Sequence, residues 1–108
     1  MPKKFLQSDC GERGWFIGNW PNAAFQTSNV EVTGKFCPKG DTGRPHYHKL
    51  ATEVTLVVTG LILVDGEEFK AGEIVVVEPN EVSNYVALED SYIVGIKIPG
   101  EPNDKYYV

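Results

Sequence analysis

Apolar and polar residues alternate in short runs along most of this chain, and the runs end at clusters of glycine, proline, asparagine and aspartate. Segments rich in β-branched or aromatic residues lie at 14–17, 30–37, 45–50, 53–64, 73–78, 82–88 and 92–98. Such residues suit a pleated, half-buried surface, so each segment predicts a strand. CPKGDTG, DGEE, AGE, EPN and LEDS separate them as turns. Asp65-Gly66 is the strongest turn signal, because Asp-Gly favours the type I′ turn that a two-residue hairpin requires. No window carries a helical i, i+3, i+4, i+7 apolar repeat free of glycine and proline. The pattern therefore predicts an all-β sandwich or barrel. Residues 18–29 (GNWPNAAFQTSN) are expected to form a loop over one barrel mouth, with Trp20 and Phe25 packed inward.

Length adds that this is a single domain, 1–108, with room for one hydrophobic core. The apolar fraction of 42% is that of an ordinary soluble globular protein rather than a disordered one. A net charge of -5, with no basic run beyond Lys3-Lys4, argues against nucleic acid or an anionic membrane as a partner. The longest apolar stretches, such as 61–64 and 74–77, are too short to cross a bilayer. The N-terminal MPKKFLQSDCGERG lacks an apolar core of signal-peptide length, so a cytoplasmic location is expected. Cys10 and Cys37, without CxxC spacing, read as two free thiols.

The chemistry concentrates in GDTGRPHYHKLATEVTLVVTG, from Gly40 to Gly60. The chain's only histidines, His46 and His48, are one residue apart and would share one face of a strand. Glu53 follows after a tight turn. Two imidazoles and a carboxylate make a facial triad suited to Fe(II) and tolerated by Mn, Zn, Ni or Co. Arg44 would lie on the same face as the histidines and is the candidate for gripping a substrate carboxylate or phosphate. Tyr85 and Tyr92 are further candidates for hydrogen bonds to a ligand, with Tyr85 also the candidate proton carrier. Trp15, Trp20, Phe25 and Phe36 read as barrel core, and Cys37 as a buried inert thiol.

These residues resemble a known family. Gly40, His46-x-His48, Glu53 and Gly60 match the first cupin motif at its fixed positions, and GEIVVVEPN from Gly72 is similar to the second. The resemblance spans about 30–98 and implies a cupin double-stranded β-helix, a jelly-roll barrel whose inward side chains hold a divalent metal (Fe, Mn, Ni or Zn). The departure is in the second motif, where cupins usually supply a third histidine. Gap-free alignment places Ser83 there; a one-residue bulge places Asn84. The implied centre is thus His46, His48 and Glu53, with positions open for water or substrate, and Asn84 or Ser83 as an optional extra ligand. Two functions follow. One is a metalloenzyme of isomerase, lyase or dioxygenase type acting on a small carbohydrate-like or carboxylate metabolite. The other is a non-catalytic binding or sensing module that has lost its metal. The resemblance also implies a homodimer, pairing through the strand around Trp15 or the strand 92–98. The tail IKIPGEPNDKYYV is similar to the ends of small bacterial cupins and carries no function of its own in this reading.

Overall fold

The computed structural model describes residues 1–108 and is almost entirely strand. After a short 3-10 turn at Gln7–Asp9 come β1 (Trp15–Gly18), β2 (Phe25–Gln26), β3 (Glu31–Cys37), β4 (His46–Tyr47), β5 (Thr52–Thr59) and β6 (Leu61–Val64). They are followed by β7 (Glu67–Lys70), β8 (Ile74–Val77), β9 (Tyr85–Ala87), β10 (Ser91–Ile98) and β11 (Tyr106–Tyr107). No helix is long and apolar enough to cross a membrane.

Each expected segment contains strand, 45–50 only at β4 and 82–88 only at β9; one is divided, and β2, β7 and β11 lie outside the expected segments. The run 53–64 breaks at Gly60, where φ is +92° and a Cβ would collide with Ser91 and the Asp90 carbonyl. Only glycine fits there. Asp65 and Gly66, at φ 50° and 82°, form the predicted turn between β6 and β7.

One sheet of six strands has the order β2-β1-β3-β10-β5-β8, and it faces a three-stranded sheet, β7-β6-β9. A separate pair, β11-β4, carries the histidines. Two expectations are corrected. Strand β10 lies in the middle of the large sheet, and β1 is flanked by β2 and β3, so neither proposed pairing strand is an edge; the edges are β2 and β8. The 18–29 segment includes β2, which pairs with β1 in parallel, and Phe25 is 66% exposed rather than packed inward. Phe36 is exposed as well, because strand alternation turns it away from the cavity. Trp20 is half-buried and donates its indole N–H to the Trp15 carbonyl at 3.1 Å.

Register places side chains on the large sheet in rungs. Lys97 stands between Glu31 and Glu53; Gly95 stands between Thr33 and Thr55; Ile93 stands between Lys35 and Val57. These residues face inward. The intervening residues (Val32 and Phe36 on β3, Val94 and Ile96 on β10, Val54 and Leu56 on β5, Ile74 and Val76 on β8) face out. The sheet therefore mixes charged and polar groups with aliphatic ones inside and keeps an uncharged, largely apolar row outside, unlike a sheet lying on a dry core.

Candidate metal centre

Each ligand is fixed by a different piece of local structure. His46 sits on β4, bridged to Ser83 by paired backbone hydrogen bonds of 3.1 and 2.9 Å. Its Nδ1 donates to the Arg44 carbonyl at 2.8 Å. His48 is 4% exposed, and its Nδ1 donates to the Asp104 carbonyl. In both rings the backbone takes Nδ1, so that Nε2 is the nitrogen available to an ion, the arrangement that orients a metal-binding histidine. Glu53, on β5, puts Oε2 at 3.2 Å from His48 Nε2. One ligand atom from each of His46, His48 and Glu53 lies within 4.8 Å of the others. That spacing and donor set fit one divalent ion on imidazole nitrogens and a carboxylate.

The electrostatics of the cluster are mutually supporting. Burial opposes charge on Glu53, but its hydrogen bond and proximity to His48 hold the carboxyl below its usual range. The same hydrogen bond raises His48, against the effect of burial. His46 is lowered by burial, only partly offset by its bond to the Arg44 carbonyl, and is therefore neutral and ligand-ready near pH 7.

The tail missed by sequence reasoning holds the cluster together. Asp104 is 5% exposed, and its carboxylate accepts the backbone N–H groups of Lys49, Leu50 and Ala51 at 2.9, 3.0 and 2.9 Å. Burial resists its charge, but these bonds prevail and its carboxyl lies below the ordinary value. Asp104 thus closes the turn between the histidines and Glu53 while its carbonyl orients His48. Strand β11 then pairs with β4, Tyr106 opposite Tyr47 and Tyr107 opposite His46. Tyr47 stacks on Tyr106 at 5.3 Å between centroids.

Two charged residues behind the cluster were also missed, although alternation along 31–37 and 91–98 would have turned both inward. Lys97 Nζ lies 3.9 Å from Glu31 Oε1 and 4.6 Å from the centroid of the Trp15 ring. Glu31 is 4% exposed and its Oε2 has no partner; burial pushes its carboxyl up, with Lys97 partly compensating.

The remaining expected site residues divide. Tyr85 lines the cavity, donates to Asp41 at 2.7 Å and accepts from Lys35 at 2.8 Å. Burial and Asp41 push its phenol well up, so it stays protonated and can donate but not act as a base at neutral pH. Arg44 lies at the cavity mouth, its guanidinium 4.3 Å from the centroid of Tyr107. Ser83 and Asn84 both line the cavity; Asn84 Oδ1 is buried without a partner. Trp15, expected in the core, lines it too. Tyr92 does not. It is on the outer face of β10, opposite Phe36, while its neighbour Ile93 faces the cavity. Cys10 and Cys37 are buried free thiols, and desolvation raises Cys37.

Comparison with solved structures identifies this architecture. The chain is similar to a protein with a double-stranded β-helix domain from Klebsiella pneumoniae, at TM-score 0.67 and 21% identity over 76% of each chain. It is similar to an RmlC-like cupin from Shewanella frigidimarina, at TM-score 0.64 and 22% identity over 71% of this chain and 72% of that one. The chain has the cupin fold. KdgF from Halomonas sp. also shares it, at TM-score 0.64 and 24% identity over 71% of this chain and 74% of that one. No protein-family model and no curated protein matches the sequence. The cupin resemblance of the 40–60 segment thus agrees with the fold, and that segment supplies all three ligands of the cluster.

Proposed function

We propose that this cupin binds one divalent metal ion (Fe, Mn, Ni or Zn) on His46, His48 and Glu53 and receives a small polar metabolite beside it. The observation that carries the reading is the pair of imidazoles anchored at Nδ1 by backbone carbonyls, with His48 Nε2 turned to Glu53 and all three donors gathered within 4.8 Å. When bound, the metal would polarise a ligand oxygen. The protein's own part is to bind and orient. Arg44 and Lys35 attract an anionic group, and Tyr85, bonded to both Asp41 and Lys35, holds the Lys35 ammonium at the cavity. Ser83 and Asn84 line the cavity near His46, and Asn84 Oδ1 offers an unpaired acceptor to the metal or the ligand. Isomerase, lyase or dioxygenase chemistry at this site is the enzymatic form of the reading.

Metal analysis of the purified protein, followed by titration of Fe(II), Mn(II), Ni(II) and Zn(II) into wild type and His48→Ala, tests it. One equivalent in wild type, lost in the variant, is expected. No metal above background in either would defeat it.

We further propose that the outer sheet face pairs with a second copy. Ile74, Val76, Phe36 and Ile98 are 50% or more exposed there, and the outward positions of β3, β10, β5 and β8 carry no charge. A two-fold contact lets one uncharged patch bury its own equivalent.

A further inference from the structure

The cavity of about 310 Å³ differs between its interior and its mouth. Ile62 and Val64 on β6 and Val75, Val77 and Ile93 on the facing sheet bring aliphatic side chains into the interior from both sides, with Thr33, Thr55 and Glu53 between them. Toward the mouth, Arg13, Lys35 and Lys105 line the same space together with His46. The mouth continues past Arg44, whose guanidinium and the Lys105 ammonium both lie over the Tyr107 ring, at 4.3 and 5.4 Å from its centroid.

The only acid in that mouth is Asp41, already bonded to the Tyr85 phenol at 2.7 Å and 3.9 Å from Lys35. Four cations thus converge on one opening of a chain whose net charge is -5. Charge gathered against the general trend of a molecule focuses its field on the cleft and attracts ligands of opposite sign. The aliphatic side chains select further: a hydrocarbon body gains from leaving water against them, while each sugar hydroxyl that met them would lose its water without a partner. A volume near the small end of ligand pockets, roughly 300–1,000 Å³, limits the size.

We infer that the ligand is a small organic acid with an aliphatic body. Its carboxylate lies among Arg13, Lys35 and Lys105 beside the histidine cluster, and its hydrocarbon lies on Ile62, Val75, Val77 and Ile93. This narrows the metabolite class of the proposed function and rests on that site, but the cations and the aliphatic side chains act with or without metal.

Calorimetric titration of acetate, butyrate, hexanoate, hexanol and glucuronate, into chelator-treated and Mn(II)-loaded protein, tests the inference. Affinity should rise about fourfold per added methylene along the acids, and hexanol and glucuronate should bind at least tenfold more weakly than hexanoate. Lys35→Met should weaken the acids and leave hexanol unchanged. Val75→Thr, which keeps volume but adds a hydroxyl, should flatten the chain-length series. An acid series of constant affinity, or glucuronate tighter than hexanoate, overturns the inference. Because the series is read without metal too, failure of metal binding with chain-length dependence intact removes only the metal reading. Metal binding with a flat series removes only this one.

Discussion

The two faces of the six-stranded sheet teach opposite lessons from the same strands. On β10 the inward residues are Ser91, Ile93, Gly95 and Lys97, and the outward ones are Tyr92, Val94, Ile96 and Ile98. A sheet that only covered a core would place the second set inside. Here Lys97, with its rung partners Glu31 and Glu53, faces the second sheet across a cavity, and the apolar set is outside. The small fully buried core, with Val57, Ile62 and Cys37 among its largest members, is consistent with that inversion.

Substitutions that respect or cross the two faces sharpen the contrast. The largest effect is expected at the ligands: Glu53→Gln should weaken metal binding by more than about 100-fold, beyond what residues supporting a ligand typically give, with the fold intact by circular dichroism. Next comes Asp104→Ala, which strands three backbone N–H groups and loosens the turn that holds its own carbonyl against His48. It should destabilise the chain by about 2–4 kcal/mol and weaken metal binding by roughly 10–100-fold, read by chemical denaturation and metal titration.

Asp104 also predicts a pH dependence. Its folded carboxyl lies below its ordinary value, so its contribution is complete above the unfolded value of about 3.9 and is lost as pH falls through the folded one. The wild-type melting temperature should therefore drop below about pH 4, and that of Asp104→Asn should drop less over the same interval. Equal slopes would remove Asp104 from the account.

On the outer face, Val76→Glu should convert the proposed dimer to a monomer by light scattering while leaving metal affinity within about twofold, since none of His46, His48 and Glu53 is touched. A monomeric wild type would refute the pairing. The smallest effect is expected for Tyr92→Phe, which should change metal and ligand affinity by less than about 0.5 kcal/mol, because the phenol points away from the cavity. A larger change would show that the two faces are not separate.

How much of this was legible depended on sequence distance. His46, His48 and Glu53 fall within eight consecutive positions, so strand period and one tight turn suffice to predict their meeting, and the resemblance to the first cupin motif pointed to the fold. Glu31, Lys97 and Lys35 meet the cluster only through cross-strand register, which alternation hints at and a linear reading does not fix. Asp104 and Tyr107 come from a tail joined to β4 by 50 or more residues of intervening chain, and nothing local to DKYY announces a role. Tyr92 and Phe36 were misjudged for a related reason. Aromatic residues in a small barrel are usually inside, and here the inversion of the sheet placed them outside.

The central claim is that the two imidazoles and Glu53 form one metal centre. Cobalt(II), which takes the same donors and absorbs visibly, reads it most directly. Titrated into chelator-treated protein, it should develop ligand-field bands that saturate at one equivalent in wild type and fail to appear in a His46→Ala, His48→Ala double variant. A spectrum that stays that of free aqueous cobalt in wild type, or that saturates identically in the double variant, would contradict the account.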